Sequence, residues 1–261
     1  FGTRPDLFIK QLVQLAQDLP ALSAGKLWGH RNMVPAALKV GLKTVKKGPI
    51  TEVVQREPRL DRIPLLKTWP EDGGHFVTLP LVYTEHPDTG HHNLGMYRIQ
   101  RHDERTVGVH WQIQKGGGFH YHVAERRDEA LPLALFVGGP PALMLSAIAP
   151  LPEDLPELVL ASLLQGERLQ RVRHADAKLP LVAEAEFAIC GQVPPRVRRP
   201  EGPFGDHYGY YSLQHDYPIL EVSRVFHRKD AIFPATVVGK PPQEDLFLGA
   251  YIQELMAPLS K

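Results

Sequence analysis

Two carboxylates five residues apart, Glu201 and Asp206, lie in the segment PEGPFGDHYGYY at 200–211. Pro203 fixes its own φ and lacks an N–H, and the three glycines of the segment can adopt positive φ, so the pattern predicts a specified loop. Carboxylates that converge cannot both ionise freely, and one is pushed toward the protonated form that a general acid needs. The alternative interpretation is a surface turn with two solvated charges.

Three further residues carry chemistry that a site could use. Arg98 lies among apolar neighbours in NLGMYRIQ at 93–100, and a guanidinium in that setting needs a partner because it cannot lose its charge. An exposed arginine on an edge strand is the alternative. Asn93 and Glu157 offer oxygen donors that suit a hard divalent ion, although each taken alone is also typical of a helix cap or an exposed polar residue.

Several motifs, in one order across most of the chain, resemble the UbiD family of decarboxylases, which use prenylated FMN to remove carboxyl groups from aromatic and α,β-unsaturated acids. An ordered set of this kind is a more specific signal than one glycine pattern. The motifs are the loop at 200–211, NLGMYRIQ at 93–100, the HWQ and KGG run at 110–117, the helical segment around Glu157, and VVGKPPQED at 237–245.

The resemblance implies a role for each candidate residue. Arg98 joins Glu201 and Asp206 in the family's Glu-Arg-Glu/Asp network, in which Arg98 orients the substrate carboxylate and Glu201, and Asp206 delivers the proton that replaces CO2. Asn93 and Glu157 match ligands that hold a divalent metal, manganese or magnesium, against the cofactor phosphate, with potassium as a further candidate cation. The family's third ligand is a histidine just before KGG, where this sequence has Gln114.

The same resemblance implies a set of contacts to the prenylated FMN. An odd separation places Asn93 and Arg98 on opposite faces of an ideal strand, and a bulge at Gly95 is the device we expect to bring both toward the cofactor. The residues that match the family's cofactor contacts are Asn93, Met96, Tyr97, Arg98, His110, Trp111, Gln112, Lys115 and Gly116.

Composition narrows the class of protein. The 261 residues carry a formal net charge of +1, which favours neither nucleic acid nor an anionic membrane surface as a partner. The single cysteine, Cys190, excludes an internal disulfide, and its apolar neighbours predict a buried, inert thiol in a reducing compartment. No apolar run reaches the length of a membrane span, so a cytoplasmic location is expected.

His120 and His122 alternate near the glycine run. They are interpreted as surface residues or as residues that contact the site residues and not the ligand.

Hydrophobic periodicity predicts the elements that must position these residues. Sheet, helices and further sheet, without a strict βαβ repeat, indicate an α+β fold. The resemblance implies an FMN-binding split β-barrel with flanking helices and a partial N-terminal α/β region, and it implies that the family's C-terminal domain, which helps to build the oligomer, has no counterpart here. The expected regions are a partial α/β region at 1–60, the split barrel at 61–241 and a closing helix at 242–261. Helices are predicted at 5–19, 32–46, 121–130, 141–148, 153–165 and 244–256. Strands are predicted at 93–100, 106–114, 132–137 and 181–193, and two further strand-like runs within 218–239.

These observations predict a carboxy-lyase that uses prenylated FMN and a divalent metal to decarboxylate an aromatic acid, such as a polyprenylated hydroxybenzoate or a naphthoate, in quinone biosynthesis or aromatic acid metabolism. The resemblance implies a flavin prenyltransferase as cofactor supplier and a homo-oligomer as the full-length form. A flavin-binding accessory subunit of a larger carboxylase is the alternative, because Gln114 replaces the histidine. An ordinary flavin reductase, which would need neither Glu201 nor Asp206, is a third hypothesis.

Overall fold

The computed structural model describes residues 39–111, 116–151 and 156–257, which form two β-sheets and four α-helices. The helices are α1 Gly116–Arg126, α2 Pro141–Ile148, α3 Glu157–Gln165 and α4 Glu244–Met256. The strands are β1 Leu42–Val45, β2 Val53–Gln55, β3 His75–Val77, β4 Pro80–Glu85, β5 His92–Gly95, β6 Ile99–Arg101, β7 Thr106–Val109, β8 Leu131–Val137, β9 Leu169–Val172, β10 Leu181–Val182, β11 Phe187–Val193, β12 Arg198–Glu201 and β13 His215–His227.

The larger sheet is a curled antiparallel half-barrel built around its longest strand, β13. Its strands follow the order β3-β6-β7-β13-β11-β8-β4-β5, and β2 and β12 also pair with β13. Because β13 pairs with β2, β7, β11 and β12, it links the strand that ends at Glu201 to the rest of the half-barrel. The smaller sheet has the order β1-β9-β10, and there β1 and β9 run parallel.

Strand β8 shows how the sheet is buried on both faces. Its side chains alternate between two hydrophobic clusters, because successive residues of a strand point to opposite faces. Leu131, Leu133, Leu135 and Val137 belong to the first cluster, and Ala134 and Phe136 belong to the second. The second cluster also contains residues of α2 and α3, Leu143 and Leu158, so these two helices cover that face of the sheet.

The α+β fold and the half-barrel with flanking helices are confirmed. The predicted helices at 141–148 and 244–256 have the predicted bounds, and β8 begins one residue before the predicted strand at 132–137. The pattern succeeded at α2 because Pro141 suits a first helical turn. The boundaries at 60/61 and 241/242 between the three expected regions stay predictions.

Several predicted elements differ from the structure. The predicted helix at 121–130 is α1, which begins and ends earlier, the predicted strand at 106–114 ends at Val109, and the predicted strand at 181–193 is two strands, β10 and β11. The predicted helix at 32–46 is wrong in its described part, because 42–45 pairs with β9 as a parallel strand and Leu42 packs against the second cluster. The predicted strand at 93–100 is two strands, β5 and β6, which pair with different neighbours, so no bulge is needed at Gly95. Of the two strand-like runs predicted within 218–239, the first lies in β13, which ends at His227, and the second is wrong, because 228–239 contains no strand. The predicted helix at 5–19 and residues 152–155 lie outside the described residues.

Cys190 is buried, with 5% of its surface exposed, as the sequence predicts. Burial raises the pKa of its thiol to about 12, so the thiol stays protonated and unreactive near neutral pH. Among the described residues, no helix combines the length and the apolar character that crossing a bilayer requires.

Candidate active site

Arg98 and Glu201 form a buried ion pair. Arg98 lies between β5 and β6, and Glu201 is the last residue of β12. Arg98 Nε donates to Glu201 Oε1 at 2.7 Å, and Nη2 donates to Oε2 at 2.8 Å. The Glu201 side chain is fully buried, and 18% of the Arg98 side chain is exposed. This two-point contact fixes the guanidinium plane.

The rest of the guanidinium has defined surroundings. Nη2 also donates to Ser212 Oγ at 3.1 Å, and the Arg98 guanidinium carbon lies 4.9 Å from the centre of the Phe204 ring. Within the described residues, no hydrogen bond reaches Nη1. One nitrogen of Arg98 is therefore available to a ligand.

His110 holds the same carboxylate. His110 Nδ1 lies 3.0 Å from Glu201 Oε2, and Nε2 lies 3.3 Å from the hydroxyl of Tyr217 on β13. The rings of His110 and Tyr217 have centroids 4.1 Å apart. Sequence reasoning assigned His110 to the cofactor and missed Tyr217, because nothing near Tyr217 in the sequence signals a site.

Electrostatics keep Glu201 ionised. Burial acts to raise the pKa of Glu201, but hydrogen bonds from His110 and Arg98, together with the charge of Arg98, outweigh it and hold the pKa below its usual value. Glu201 is thus an anion at neutral pH, whereas the sequence allowed it as one of two carboxylates that share a proton.

Two buried side chains hold the loop that follows Glu201. Gln100 accepts from the N–H of Gly202 at 2.7 Å and donates to the carbonyl of Gly73 at 3.0 Å. Asp72 accepts from the N–H of Gly205 at 2.9 Å. Both side chains bind backbone next to the predicted acids, and sequence reasoning missed both.

Asp206 lies apart from the Arg98 and Glu201 pair. Its Oδ1 accepts hydrogen bonds from the N–H of Tyr208 at 2.9 Å and of Tyr210 at 3.2 Å, within its own loop. It lines a second cavity of about 310 Å³ together with Trp69 and Lys240. The structure therefore brings Arg98 and Glu201 together but does not place Asp206 on the same cavity wall.

A cavity of about 550 Å³ lies beside Arg98. One wall is apolar and consists of residues 147–151, at the end of α2 and just after it. The polar groups come from β5, the 96–98 segment, His110 and α3. A cavity of this size, lined by apolar and polar groups in similar measure, can take a small polar molecule. The predicted site residues that line it are Asn93, Met96, Tyr97, Arg98, His110, Gly116 and Glu157.

The remaining predicted cofactor contacts are elsewhere. Trp111 is buried in the first hydrophobic cluster, where its ring lies 5.4 Å from that of Tyr121, and it does not line the cavity. Its packing there explains the difference from the prediction. Gln112 and Lys115, with Gln114, lie outside the described residues.

Asn93 and Glu157 suit a hard divalent cation. Glu157 Oε2 accepts from the N–H of Leu94 at 3.1 Å, and burial raises the pKa of Glu157. Within the described residues Glu157 has no basic partner, and the buried Nδ2 of Asn93 has no hydrogen-bond partner. A bound cation would satisfy this carboxylate. The described residues hold no group of three or more His, Cys, Asp or Glu side chains that could bind a metal alone, so further ligands must come from other donors, such as a phosphate.

The half-barrel fold and this cavity define a small-molecule-binding protein with a buried arginine and carboxylate pair at its site. Residues 43–241 match the family described as the 3-octaprenyl-4-hydroxybenzoate carboxy-lyase Rift-related domain, UbiD. The chain belongs to the UbiD family.

Sequence relatives support this assignment. The chain is 49% identical over 271 residues to a protein of Chlamydia trachomatis, covering 99% of this chain and 46% of that protein. It is also 49% identical over 259 residues to a Chlamydia pneumoniae protein that is named as one of the subunits of 4-hydroxybenzoate decarboxylase, covering 99% of this chain and 44% of that protein. The chain thus spans less than half the length of these relatives.

Solved structures share the fold. The UbiD-class enzyme HmfF from Pelotomaculum thermopropionicum in complex with FMN has a TM-score of 0.77 and 27% identity, covering 85% of this chain and 51% of that one. The closed form of vanillic acid decarboxylase from Sedimentibacter hydroxybenzoicus has a TM-score of 0.76 and 28% identity, covering 87% of this chain and 50% of that one.

Proposed function

We propose that this chain forms the flavin-binding part of a decarboxylase that uses prenylated FMN to remove the carboxyl group of an aromatic acid. The observation that carries the proposal is the placement of Arg98, held by the buried Glu201, on the wall of the cavity that Asn93 and Glu157 also line. A related structure, an evolved dimeric form of HmfF, is described in complex with prenylated FMN, which supports the choice of cofactor.

In the proposed reaction the bond between the ring carbon and the carboxyl carbon breaks, and CO2 leaves. The electron pair stays on the ring carbon, and a proton takes the place of CO2. Prenylated FMN, when bound, supplies the electron-accepting chemistry for this step. The residues of the chain bind and orient the acid, exclude water and return the proton.

Arg98 is the proposed carboxylate-binding residue. Its Nε and Nη2 are occupied by Glu201, so Nη1 is the nitrogen that we assign to the substrate carboxylate. Glu201 keeps the guanidinium oriented, and this pre-organisation reduces the cost of binding the substrate in one pose. Asp206 is the proposed proton donor, and its place on the second cavity makes this role the one that most needs a direct test.

Asn93 and Glu157 would hold the divalent metal, manganese or magnesium, at the cofactor phosphate. Their oxygen atoms fit such an ion, as does the half-buried Glu157 carboxylate, which has no basic partner among the described residues. Met96, Tyr97 and Gly116 would line the flavin site.

We propose a hydroxybenzoate or a naphthoate as the substrate class, in quinone biosynthesis or aromatic acid metabolism. The names 4-hydroxybenzoate decarboxylase and vanillic acid decarboxylase among the relatives favour a hydroxylated benzoate. The proposal includes a cytoplasmic location, a flavin prenyltransferase that supplies the cofactor, and a homo-oligomer. The description of one related HmfF form as dimeric supports the last point.

A second candidate function is that of a flavin-binding subunit that is active only with a further polypeptide. Two observations favour it. The chain matches less than half of the Chlamydia relatives, one of which is named as a subunit, and Asp206 lies on a different cavity from Arg98.

Reconstitution tests both functions. The protein is loaded with prenylated FMN and Mn²⁺, and CO2 release is followed for a panel of hydroxybenzoates and naphthoates. We expect release that is lost in Arg98→Met and Asp206→Asn and kept in two matched controls at exposed positions, Arg62→Met and Asp230→Asn. Flavin absorbance with activity only after addition of a partner chain supports the second function. Absence of flavin binding would contradict both.

A further inference from the structure

The side chains of Glu201, His110 and Tyr217 form a continuous chain of polar contacts. Glu201 ends β12 and Tyr217 lies on the paired strand β13, while His110 follows β7, so three neighbouring strands supply the three groups. His110 bridges the carboxylate at 3.0 Å and the phenol hydroxyl at 3.3 Å. The rings of His110 and Tyr217 are tilted by 30° to each other, with centroids 4.1 Å apart.

The chemistry of the two ends fixes the proton on His110. An ionised carboxylate can only accept, so His110 Nδ1 must donate to Glu201. Burial, and then the negative charge of Glu201, raise the pKa of Tyr217, so its hydroxyl keeps its proton and can donate to Nε2. A neutral imidazole with the proton on Nδ1 satisfies both contacts at once.

The other charged groups around Glu201 do not replace His110. Arg98 donates to both carboxylate oxygens and shares Oε2 with His110. The buried Nε2 of His102 has no hydrogen-bond partner among the described residues, and Gly108 lies between that ring and Glu201. His215 pairs with Glu201 in the strand register, but its side chain is exposed.

We infer that His110 is a positioning residue that orients the Glu201 carboxylate toward Arg98, and that Tyr217, by donating to Nε2, keeps the proton of His110 on Nδ1 alone. The catalytic consequence rests on the proposed decarboxylase function. Without His110, one oxygen of Glu201 loses a donor in a fully buried place, and the carboxylate is then protonated more readily. A neutral Glu201 no longer holds the guanidinium of Arg98 in one plane.

The tautomer can be measured without cofactor or substrate. Protein labelled with ¹⁵N-histidine gives two-bond ¹H–¹⁵N spectra in which the ring nitrogens report their protonation, and the signals of His110 are those lost in His110→Gln. We expect the form with the proton on Nδ1 alone at pH 7 in the wild type. In Tyr217→Phe we expect a larger share of the form with a proton on each nitrogen, because Nε2 has lost its donor while Nδ1 still faces the carboxylate. Tyr208→Phe is the matched control, because Tyr208 is 67% exposed.

Two outcomes overturn the inference. One is a wild-type His110 that is cationic or carries its proton on Nε2, a result that needs no variant to fold. The other is a folded Tyr217→Phe protein whose His110 spectrum matches the wild type.

The pH dependence of kcat/KM is a second test, because it would not change if His110 served only to stabilise the fold. In the loaded enzyme, we expect the acid limb of kcat/KM to move to higher pH in His110→Leu and to return part of the way in His110→Gln, whose amide can donate one hydrogen bond. An unchanged limb in His110→Leu contradicts the positioning role. If no substrate turns over, the proposed function fails while the spectra still decide the inference.

Discussion

Asp72 Oδ1 accepts a hydrogen bond from the backbone N–H of Gly205 at 2.9 Å, one residue before Asp206. Its Oδ2 accepts from the N–H of Thr68 at 3.1 Å and of Trp69 at 2.9 Å. The side chain is 3% exposed. One buried carboxylate therefore ties the turn at 68–72 to the loop that carries both predicted acids.

Replacing Asp72 with asparagine tests this tie. In Asp72→Asn one oxygen becomes an NH2 group, which must face a backbone N–H and leaves at least one buried donor unpaired. We expect a loss of about 1–3 kcal/mol in the free energy of unfolding, measured by urea denaturation. Asp230→Asn, at an exposed position, should change it by less than about 0.5 kcal/mol. Equal stability of the two variants would show that Asp72 does not hold the loop.

Because Arg98 and Glu201 form an ion pair, we expect the effect of replacing one of them on stability to depend on whether the other is present. Arg98→Met leaves a fully buried carboxylate without its main partner, and we expect a loss of about 3–5 kcal/mol in the free energy of unfolding. The double variant Arg98→Met with Glu201→Leu should recover part of this loss, because the buried charge is gone. Denaturation of both single variants and the double variant gives the coupling energy. Additive losses would contradict the pair.

Sequence reasoning succeeded where a complete local signal exists. The helices at 141–148 and 244–256 have apolar periodicity and start signals within their own residues, and the structure gives them these bounds. At 42–45 the pairing with β9, more than a hundred residues away, decides the strand, and no local pattern reports that pairing.

The candidate site shows the same contrast between residues that a sequence motif identifies and residues that only the fold brings into place. Family motifs named Arg98 and Glu201, which are 103 residues apart and in contact. Asp72, Gln100 and Tyr217 were missed because they act through backbone groups or through another side chain, and such contacts leave no motif. One continuous strand would place Asn93 and Arg98 on opposite faces. The strand ends at Gly95 and a new one begins at Ile99, so this constraint does not apply, and no sequence pattern predicted the break.

His120 and His122, both on α1, predict a pH dependence of stability. His120 is 7% exposed, which excludes the surface alternative for this residue, and its Nδ1 lies 2.9 Å from Thr84 Oγ1. His122 is exposed. Burial, with smaller contributions from His86, His92 and His91, lowers the pKa of His120 to about 4. A depressed histidine pKa means that the unfolded chain binds the proton first, so stability is full above the unfolded pKa and falls as pH decreases from about 6.5 toward 4.

We therefore expect His120→Gln to remove part of the wild-type loss of stability between pH 7 and pH 5, about 2 kcal/mol for this group. Urea denaturation at the two pH values measures it. His122→Gln, a change at an exposed position on the same helix, is the control and should retain the full wild-type difference. If His120→Gln loses as much stability between pH 7 and pH 5 as the wild type does, His120 is not the cause of that loss.

Glu157 should couple metal binding to stability. A ligand that binds only the folded protein raises Tm in proportion to the logarithm of its concentration above Kd. We expect MnCl2 to raise the Tm of protein with FMN bound, and Glu157→Gln to remove most of this rise because the amide carries no charge. Glu254→Gln, at an exposed position on α4, is the control and should respond as the wild type does. The same Mn²⁺ response in Glu157→Gln would argue against a metal at this carboxylate.

Alanine variants at Gly116 and Gly249 test the cavity, the first as the test variant and the second as its control. A Cβ added at Gly116 would meet the side chain of Asn93, whereas one added at Gly249, inside α4, would have no atom within 4 Å. We expect Gly116→Ala to displace Asn93 and reduce flavin retention, measured as bound flavin absorbance after gel filtration.

Gly249→Ala should keep the flavin and raise the free energy of unfolding by about 0.5–1 kcal/mol, because alanine loses less backbone entropy in a helix. Both variants are compared at equal protein concentration after circular dichroism has shown native helix content. Full flavin retention in Gly116→Ala would mean that the contact of Asn93 with this glycine does not shape the cofactor site, and the flavin would then have to be held by other walls of the cavity.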